Sequence, residues 1–352
     1  MSVENVKPAL RIARRGERPS ITVAAGSVCR FEPLADGREL PWLVQPTVPD
    51  VDLAAWLRNN RGVVGDRLRD HGGLLFRGFQ VNGTEPFENC VKALSGTLLE
   101  YEYRSTPRTR VSGSIYTSTE YPPSRSIPMH NEMSYARAWP LKLWFHAVTP
   151  ATRDGQTPLA DSRKVLARIS PRVRDTFAAR QVMYVRNYGH GVDLPWQEVF
   201  QTTERLEVER LCGKVGMDLE WKTDDRLTTR HVCQAIAPHA QTGEPVWFNQ
   251  AHLFHVSSLD EASRELLLQR FGESELPRNA YYGDGSPIDA AVLDEIRQAY
   301  AAETVVFEWQ AGDLLLLDNM RTAHGRQSYE GPRRLLAGMA ERHGHADTCV
   351  EM

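Results

Sequence analysis

The chain has 352 residues, and its 42 lysines and arginines nearly balance 45 aspartates and glutamates, for a formal net charge of −3. This balance provides no basic field that would favour nucleic acid or an anionic membrane, so we expect a small-molecule substrate or a small protein partner. The apolar runs, such as that at 314–317, are far shorter than the roughly 20 residues that cross a bilayer, and the start lacks a signal-peptide pattern; we expect a cytoplasmic protein.

The five cysteines are odd in number and widely spaced, and none belongs to a Cys-x-x-Cys pair. Such a set predicts neither a disulfide framework nor a structural zinc site. We interpret them as ordinary thiols. They are Cys29, Cys90, Cys212, Cys233 and Cys349.

Residues 1–45 form an irregular polar extension, apart from a strand-like stretch at 21–31. Apolar residues at three- and four-residue spacing predict a helix over 52–70, ended by the glycines at 72 and 73 and followed by a buried strand at 74–79. Residues 101–128 are rich in Ser, Thr, Pro, Arg and Tyr and lack helical periodicity. A long irregular stretch of this kind is typical of an active-site lid.

Further along the chain, predicted strands and helices alternate. Side-chain alternation predicts a strand at 141–148, and Asp161 opens a helix for which Ser162 is a capping candidate. The remaining predicted elements are a partly helical region at 196–212, strands at 229–236 and 245–249, amphipathic helices at 260–271 and 289–302, and strands at 304–309, 314–317 and 334–341.

Strands at both ends of the chain, with helical insertions between them, favour a single domain. We therefore predict a mostly β fold with α-helices, in which a distorted double-stranded β-helix, or jelly roll, forms the core and helices flank it. This one domain would span residues 1–352 and would carry its helical and strand insertions at about 160–300.

The residues with the clearest chemical pattern are two histidines and a glutamate. A histidine and a carboxylate two positions apart on a strand point to the same face, so His130 and Glu132 could supply two metal ligands. His324 follows an apolar strand and a polar turn, a place where barrels display ligands. The three match a 2-His-1-carboxylate facial triad, which leaves positions open on Fe(II) for a 2-oxo acid and dioxygen.

Each part of this set has a plainer interpretation when taken alone. The pair at 130 and 132 occurs by chance on surface strands, and His324 could be a hydrogen-bonded core histidine. Two arginines, Arg333 and Arg334, follow a turn at 330–332 and begin the next strand. If that strand returns antiparallel, Arg334 would lie alongside His324, where a guanidinium could bind the distal carboxylate of a dicarboxylic co-substrate.

Four segments occur in a specific order: Tyr-Thr-Ser-Thr-Glu-Tyr-Pro at 116–122, His-Asn-Glu-Met-Ser-Tyr at 130–135, Gly-Gln-Thr-Pro-Leu-Ala-Asp at 155–161, and His-Gly-Arg at 324–326 followed by Gly-Pro-Arg-Arg at 331–334. Together they resemble the taurine dioxygenase superfamily of Fe(II)/2-oxoglutarate oxygenases over about 74–339. Within that superfamily they are most similar to the branch that contains the aspartyl hydroxylase of syringomycin biosynthesis.

The resemblance implies that His130, Glu132 and His324 bind Fe(II), and that 2-oxoglutarate and dioxygen are co-substrates. It also implies that Arg334 binds the far carboxylate of 2-oxoglutarate, with Thr157 donating a hydrogen bond.

Two departures from the family pattern bear on these assignments. Many members have aspartate where this chain has Glu132, although glutamate occurs in the amino-acid-hydroxylating branches. The loop before the arginines is one residue shorter than in taurine dioxygenase, which leaves Arg333 as the alternative to Arg334.

We expect hydroxylation of an amino acid or an amino-acid-derived substrate, free or tethered to a peptidyl carrier protein, in specialised metabolism such as antibiotic biosynthesis. Candidate substrate residues are Arg110, Tyr116, Ser118 and Glu120 in the lid, for which solvated side chains are the alternative, and Asn249 near a predicted pocket strand. His252 and His255 are better explained as packing histidines, because the triad is complete without them.

Other functions remain open at this point. The same oxidative centre could carry out desaturation or cyclisation, and the same ligands could hold zinc in a hydrolase or persist in a non-catalytic scaffold. Zinc chemistry does not explain a paired arginine and threonine placed for a dicarboxylate. Nothing in the sequence indicates an oligomeric state.

Overall fold

The computed structural model describes residues 28–35, 39–100, 109–118 and 121–344. Its strands are β1 (Cys29–Pro33), β2 (Trp42–Pro46), β3 (Gly73–Phe76), β4 (Arg110–Ser112), β5 (Ile115–Thr117), β6 (Ile127–His130), β7 (Ala138–Thr149), β8 (Arg153–Asp154), β9 (Leu159–Asp161), β10 (Val182–Tyr188), β11 (Asp218–Trp221), β12 (Leu227–Cys233), β13 (Ile236–Pro238), β14 (Pro245–Trp247), β15 (Arg278–Tyr282), β16 (Leu314–Asp318), β17 (Thr322–Arg326), β18 (Tyr329–Glu330) and β19 (Arg334–Gly344).

Ten α-helices occur within the described ranges. They are α1 (Leu53–Asn59), α2 (Arg61–His71), α3 (Thr84–Ser95), α4 (Ser162–Arg168), α5 (Pro171–Arg180), α6 (Trp196–Phe200), α7 (Arg205–Val215), α8 (Ala251–Phe254), α9 (Glu261–Phe271) and α10 (Ala290–Glu303). The architecture is therefore mixed α/β, with large sheets and surrounding helices.

The main sheet has eight strands in the order β1-β2-β3-β16-β7-β19-β5-β4. Its pairs are antiparallel, except that β2 and β3 run parallel. A second sheet of three strands, β6-β17-β9, carries the candidate site. The inserted region forms a four-stranded sheet, β11-β12-β10-β15, and two short two-stranded sheets complete the described part of the chain.

The central strand β16 pairs with β3 on one edge and β7 on the other, and a hydrophobic cluster covers each of its faces. Leu314 and Leu316 pack in a cluster with residues of α1 and α3. Leu315 and Leu317 point the other way, into a cluster that includes Phe145. This alternation is the reason a run of four leucines forms a strand rather than a surface segment. Each buried leucine contributes roughly 1.5–3 kcal/mol of transfer free energy.

The helix predicted over 52–70 is two helices, α1 and α2. Asp52 caps the first, since its carboxylate accepts a hydrogen bond from the backbone N–H of Ala55 at 3.0 Å. Asn60 then departs from helical geometry, with φ −123° and ψ 27°, and separates the two. The predicted stop is confirmed, because Gly72 has φ 76° and its N–H bonds the carbonyl of Leu68 at 2.7 Å.

Two other predicted elements need correction. The stretch 304–309 is not a strand but an extended segment with a single bridge, between Val305 and Leu159. The helix predicted at 260–271 exists as α9, but none of its residues is buried, so it is not a core-facing amphipathic helix. The helix at 289–302 is confirmed as α10, which buries Leu293 and Ile296.

Several predicted strands exist with different ends. The strand at 141–148 is the twelve-residue β7, and that at 334–341 is the eleven-residue β19. Of the predicted strand at 21–31, only residues 28–31 lie within the described part. Residues 101–108 and 119–120 of the proposed lid, and Cys349, lie outside it. Across the described residues, the helices fall short of the length and apolarity needed to span a membrane.

Candidate metal centre

The structure brings the three predicted ligands together. In β6 and β17, His130 and His324 are directly paired across an antiparallel ladder. Their ring centroids are 4.5 Å apart. Glu132 follows His130 by two residues, and one ligand atom from each of the three residues lies within 4.8 Å of the others. Within the described ranges, these three form the one group of histidine, cysteine and acidic residues with this spacing.

The orientation of His130 is set by its own strand. Its Nδ1 lies 2.8 Å from the carbonyl oxygen of Pro128, so we assign the Nδ1–H as the donor. That tautomer leaves the lone pair on Nε2, the nitrogen that would bind a metal.

The backbone at Glu132 is fixed by Asn319, which precedes His324 by five residues. The Glu132 N–H donates to Asn319 Oδ1 at 2.7 Å, and Asn319 Nδ2 donates to the Glu132 carbonyl at 2.9 Å. A third bond runs from Asn319 Nδ2 to the Pro140 carbonyl at 2.8 Å. Asn319 and Glu132 are both buried, so these bonds form away from water and hold the carboxylate at a defined place.

The residue between the two ligands is also held. Asn131 Nδ2 donates to the Asn319 carbonyl at 2.7 Å and to Ser162 Oγ at 3.0 Å. Its carbonyl accepts from Gln250 Nε2 at 2.8 Å. Nothing local in the sequence indicates the contact of Gln250 with the ligand loop, because the two are 119 positions apart.

The metal pocket is a cleft with about 410 Å³ of empty space, part of it open to solvent. Its walls combine His130 and His324 with Thr157, two arginines, Ser118 and apolar side chains. Arg333 is one of these arginines and is half-buried, whereas Arg334 is exposed. The expectation that Arg334 would lie alongside His324 is therefore not met; the alternative, Arg333, has that position.

Arg333 lies in an unusual environment for a guanidinium. Its Nε donates to the Gly155 carbonyl at 3.2 Å. Burial and the neighbouring charge of Arg326 lower the pKa of Arg333 to about 10, so it remains cationic at neutral pH. Two cations that face one small cleft make a favourable place for a dianion.

Thr157 is buried and receives a hydrogen bond from the indole N–H of Trp309, at 3.0 Å. An indole nitrogen can only donate, so the Thr157 oxygen accepts and its own proton is directed elsewhere. Sequence analysis missed Trp309, which lies in the stretch predicted to be a strand.

Arg326, the second arginine of the metal pocket, ties the lid side of the site to the core. It is 5 % exposed, and its guanidinium donates to the backbone carbonyls of Tyr121, Pro122 and Arg125 at 2.6–2.9 Å. These residues immediately precede β6, the strand that carries His130. Sequence analysis quoted Arg326 in a motif but gave it no role.

The candidate substrate residues are not all at the metal pocket. Ser118 lines it, while Tyr116 is buried in a core cluster. Arg110 is exposed and pairs with Glu100 at 3.1 Å. Glu120 lies outside the described residues. Asn249 is fully buried, donates to the Ala235 carbonyl and accepts from the Ala251 N–H, bonds that account for it as a structural residue.

The two nearby histidines agree with the predicted packing role. His252 Nε2 lies 2.9 Å from the Met129 carbonyl, and burial lowers its pKa to about 4, so it is the neutral donor to that carbonyl. His255 bonds Ser257 through Nδ1 at 2.9 Å. Neither belongs to the ligand group.

The donor set consists of two imidazoles that line the cleft and the nearby buried carboxylate of Glu132. Such a set suits non-haem Fe(II) and leaves open coordination positions, although zinc also accepts these donors. Arg333 and Thr157, which line the same cleft, favour the Fe(II) site over the zinc site. A dicarboxylic co-substrate needs such hydrogen-bonding partners, whereas a hydrolytic zinc site does not.

Comparisons with known proteins identify the family of this chain. The family model described as taurine catabolism dioxygenase TauD, TfdA family matches residues 31–340. The dapdiamide synthesis protein DdaC of Enterobacter agglomerans is 37% identical over 309 residues, covering 88% of this chain and 93% of that protein. A clavaminate synthase-like protein of Arabidopsis thaliana is 30% identical over 325 residues, covering 87% and 95%.

A similar fold is found among solved structures. PvcB from Pseudomonas aeruginosa matches with a TM-score of 0.52 and 15% sequence identity, covering 89% of this chain and 91% of that one. At this identity the likeness is one of fold.

Proposed function

Because the chain belongs to the TauD, TfdA family of dioxygenases, we propose that it is an Fe(II)- and 2-oxoglutarate-dependent oxygenase that hydroxylates an amino acid or a substrate derived from one. Enzymes of this family use Fe(II), with 2-oxoglutarate and dioxygen as co-substrates. The observation that carries the proposal is the convergence of His130, Glu132 and His324, whose ligand atoms lie within 4.8 Å of one another beside a cationic cleft.

In this proposal the three converging side chains hold the metal. Bound Fe(II) supplies the means to oxidise an unactivated C–H bond with dioxygen and 2-oxoglutarate. Arg333 takes the role first assigned to Arg334: its guanidinium binds the far carboxylate of 2-oxoglutarate. The Thr157 oxygen already accepts a hydrogen bond from the Trp309 indole, so the Thr157 hydroxyl can donate its proton to the same carboxylate.

The rest of the pocket shapes the reaction. Ile127, Phe145 and Leu335 give it apolar walls that limit water around the metal. Arg326 holds the segment that leads into β6, so the first histidine is presented from an ordered backbone.

The substrate class rests on the relatives. DdaC is described by its name as a dapdiamide synthesis protein, and PvcB as an Fe, alpha-ketoglutarate dependent oxygenase from an isonitrile synthetic pathway. These names support a small substrate of specialised metabolism, and we extend this to an amino acid, free or tethered to a peptidyl carrier protein. Ser118 at the metal pocket is the first candidate for substrate contact; Tyr116, Arg110 and Glu120 remain candidates through the lid.

We extend the proposal to the architecture. The main sheet and the β6-β17-β9 sheet would be the two halves of the distorted jelly roll. A single catalytic domain over 1–352 is supported by a main sheet whose strands come from residues 29 to 344 and by the extent of the family match. Desaturation or cyclisation would use the same centre and differ in how the substrate is held.

The test is an anaerobic titration of Fe(II)-loaded protein with 2-oxoglutarate, followed through the weak visible metal-to-ligand charge-transfer band. We expect the band in the native protein and in His255→Ala, a control at a histidine outside the ligand group. We expect no band in His130→Ala or His324→Ala. A folded, iron-loaded native protein without the band would contradict the proposal and favour a zinc enzyme or a scaffold.

A second step identifies the substrate. Amino acids are added one at a time to the anaerobic complex, and the one that shifts the band is then turned over with dioxygen. Mass spectrometry of the product separates hydroxylation, a gain of one oxygen, from desaturation, a loss of two hydrogens.

A further inference from the structure

The ligand loop, residues 129–136, carries His130 and Glu132 and turns sharply just beyond them. Met133 has φ 57°, in the left-handed region that residues other than glycine rarely adopt. Such a conformation is unfavourable for a residue with a side chain, and it persists only where the surrounding structure holds it. The loop that presents the carboxylate therefore needs support from other parts of the chain.

Two side chains from the start of α8 hold this loop by its carbonyl groups. Gln250 Nε2 donates to the carbonyl of Asn131 at 2.8 Å. His252 Nε2 lies 2.9 Å from the carbonyl oxygen of Met129 and donates to it. Each of these carbonyls belongs to the residue immediately before a candidate metal ligand, so each bond fixes the peptide unit from which a ligand is presented.

The peptide unit that leads into Glu132 is held from both sides. Its carbonyl oxygen accepts from Gln250, and its N–H donates to Asn319 Oδ1 at 2.7 Å. A peptide unit is planar, so bonds at both ends fix the orientation of the whole plane. Asn131, Gln250 and Asn319 are buried, which means that these bonds form away from water.

The far side of the turn is held in the same way. Gln234 directly follows β12, and its Nε2 donates to the carbonyl of Ser134 at 2.8 Å and to that of Ala136 at 3.2 Å. One amide nitrogen carries two protons and can serve both acceptors. The left-handed residue Met133 is thus enclosed between a bond from Gln250 on one side and bonds from Gln234 on the other.

The three donors are themselves placed by elements of the inserted region. The Gln250 N–H donates to the phenol oxygen of Tyr184, a buried residue of β10, at 2.8 Å. Arg297 of α10 donates to the carbonyl of His252 at 2.8 Å. Neither β10 nor α10 contributes a member of the candidate ligand group. The geometry of the ligand loop therefore depends on a part of the chain that supplies no ligand.

We propose that Gln234, Gln250 and His252, which we call the carbonyl clamp, are positioning residues of the metal centre. The clamp holds the ligand loop in the conformation in which His130 and Glu132 bind the same ion. This inference rests on the proposed function, because it takes those residues as metal ligands. For His252 it adds a role beyond packing.

The test measures Mn(II) binding to the full chain by electron paramagnetic resonance, which counts the free ion. Gln250→Met keeps the length of the side chain and removes the donor, and His252→Phe keeps a ring and does the same. Each should weaken Mn(II) binding about tenfold. The ligand-field absorption of the Co(II)-loaded variants should also change, because it depends on how the ligands are arranged around the ion.

Asn187→Leu is the matched control. Asn187 is a buried amide on β10, and its Nδ2 donates to the carbonyls of Ser274 at 3.1 Å and Leu276 at 2.7 Å, neither of which belongs to the ligand loop. This variant should lower the melting temperature but leave the Mn(II) affinity and the Co(II) spectrum unchanged. It separates a loss of stability from a loss of positioning.

The proposal is overturned if both clamp variants, folded by circular dichroism, bind Mn(II) as tightly as the native protein, or if Asn187→Leu weakens binding as much as they do. A native protein that binds Mn(II) but shows no charge-transfer band with Fe(II) and 2-oxoglutarate would contradict the oxygenase proposal alone, because metal affinity still tests the clamp. A native protein that binds no Mn(II) would overturn both.

Discussion

Asn319 controls the position of Glu132 through a reciprocal pair of backbone hydrogen bonds. The carboxylate that could bind metal is thus positioned by a residue outside the proposed ligand group. Residues of this kind often matter nearly as much for metal affinity as the ligands do.

Asn319→Ala should weaken metal binding about 10- to 100-fold, because the Glu132 backbone would lose both hydrogen bonds to Asn319 and the carboxylate its fixed place. The variant should also lose stability, since it removes buried hydrogen bonds of the Asn319 side chain, each contributing about 0.5–1.5 kcal/mol. Competition with a chelator measures the affinity. Unchanged affinity in a folded variant would show that the carboxylate does not depend on Asn319.

Arg333 and Arg334 show how a shift of one residue along the chain changes which arginine reaches the metal pocket. Successive side chains on a strand point to opposite faces, so a shift of one position exchanges the half-buried arginine for the exposed one. The choice depends on how β19 pairs with β7, and that pairing changes register between Arg334 and Leu335. A sequence contains no direct signal for such a bulge, which is why the motif left both arginines open.

Arg333→Gln should raise the 2-oxoglutarate concentration needed for half-saturation by about tenfold or more, because the carboxylate loses a charge-assisted hydrogen bond. The matched variant Arg334→Gln should leave this concentration unchanged. Titration of the Fe(II) protein under anaerobic conditions measures both. The reverse result would return the role to Arg334.

At the scale of single elements, the start of α4 joins the site to the rest of the protein. Asp161 caps this helix, accepting from the Arg163 N–H at 2.9 Å, so the predicted helix is confirmed with Asp161 rather than Ser162 as its cap. Burial alone would raise the pKa of Asp161, but hydrogen bonding to Arg163 and the charges of Arg163 and Arg321 outweigh it and hold the pKa below its ordinary value.

Asp161→Asn keeps a good helix cap but removes the charge. At neutral pH we expect it to lower the free energy of unfolding by about 1–2 kcal/mol. Because the folded-state pKa is depressed, this contribution is present above the unfolded pKa of about 3.9 and is lost as pH falls through the folded-state value. Urea unfolding of both proteins between pH 7 and pH 3 should show the difference in unfolding free energy narrow below about pH 4; a constant difference would mean that the charge is not its source.

Helices and strands could be predicted from the sequence where a capping residue or an apolar run determines the local structure. Aspartates at 52, 260 and 289 cap helices that begin at the next residue, and four leucines form the central strand. The split at Asn60 and the exposure of α9 could not be predicted, because both depend on what the rest of the chain packs against. The same holds for 304–309, whose apolar residues cover the core without joining a sheet.

For the molecule as a whole, metal binding should be linked to stability. The ligands come from β6 and β17 and from the loop after β6, so a bound metal joins distant parts of the chain in the folded state only. Mn(II) at about 100 times its dissociation constant should stabilise the fold by about 2.7 kcal/mol, or raise the melting temperature by about 4 °C over protein in a chelator.

Differential scanning calorimetry measures the shift, and His324→Ala should show none. If Mn(II) does not change the melting temperature of the native protein, the three side chains do not bind the metal as a group.

The β6-β17-β9 sheet joins strands that are far apart in the chain, and this affects when the metal centre can form during folding. Glu132 and Asn319, which bond each other just outside that sheet, are 187 positions apart in the chain, and the Arg77–Asp313 pair beside the main sheet spans 236 positions. Contacts of such range require closure of very long loops and therefore form slowly. During synthesis the first histidine and the glutamate leave the ribosome long before their partners exist. The metal centre is consequently among the last parts of this protein to form, and a nascent chain that stops short of β17 has no means of building it.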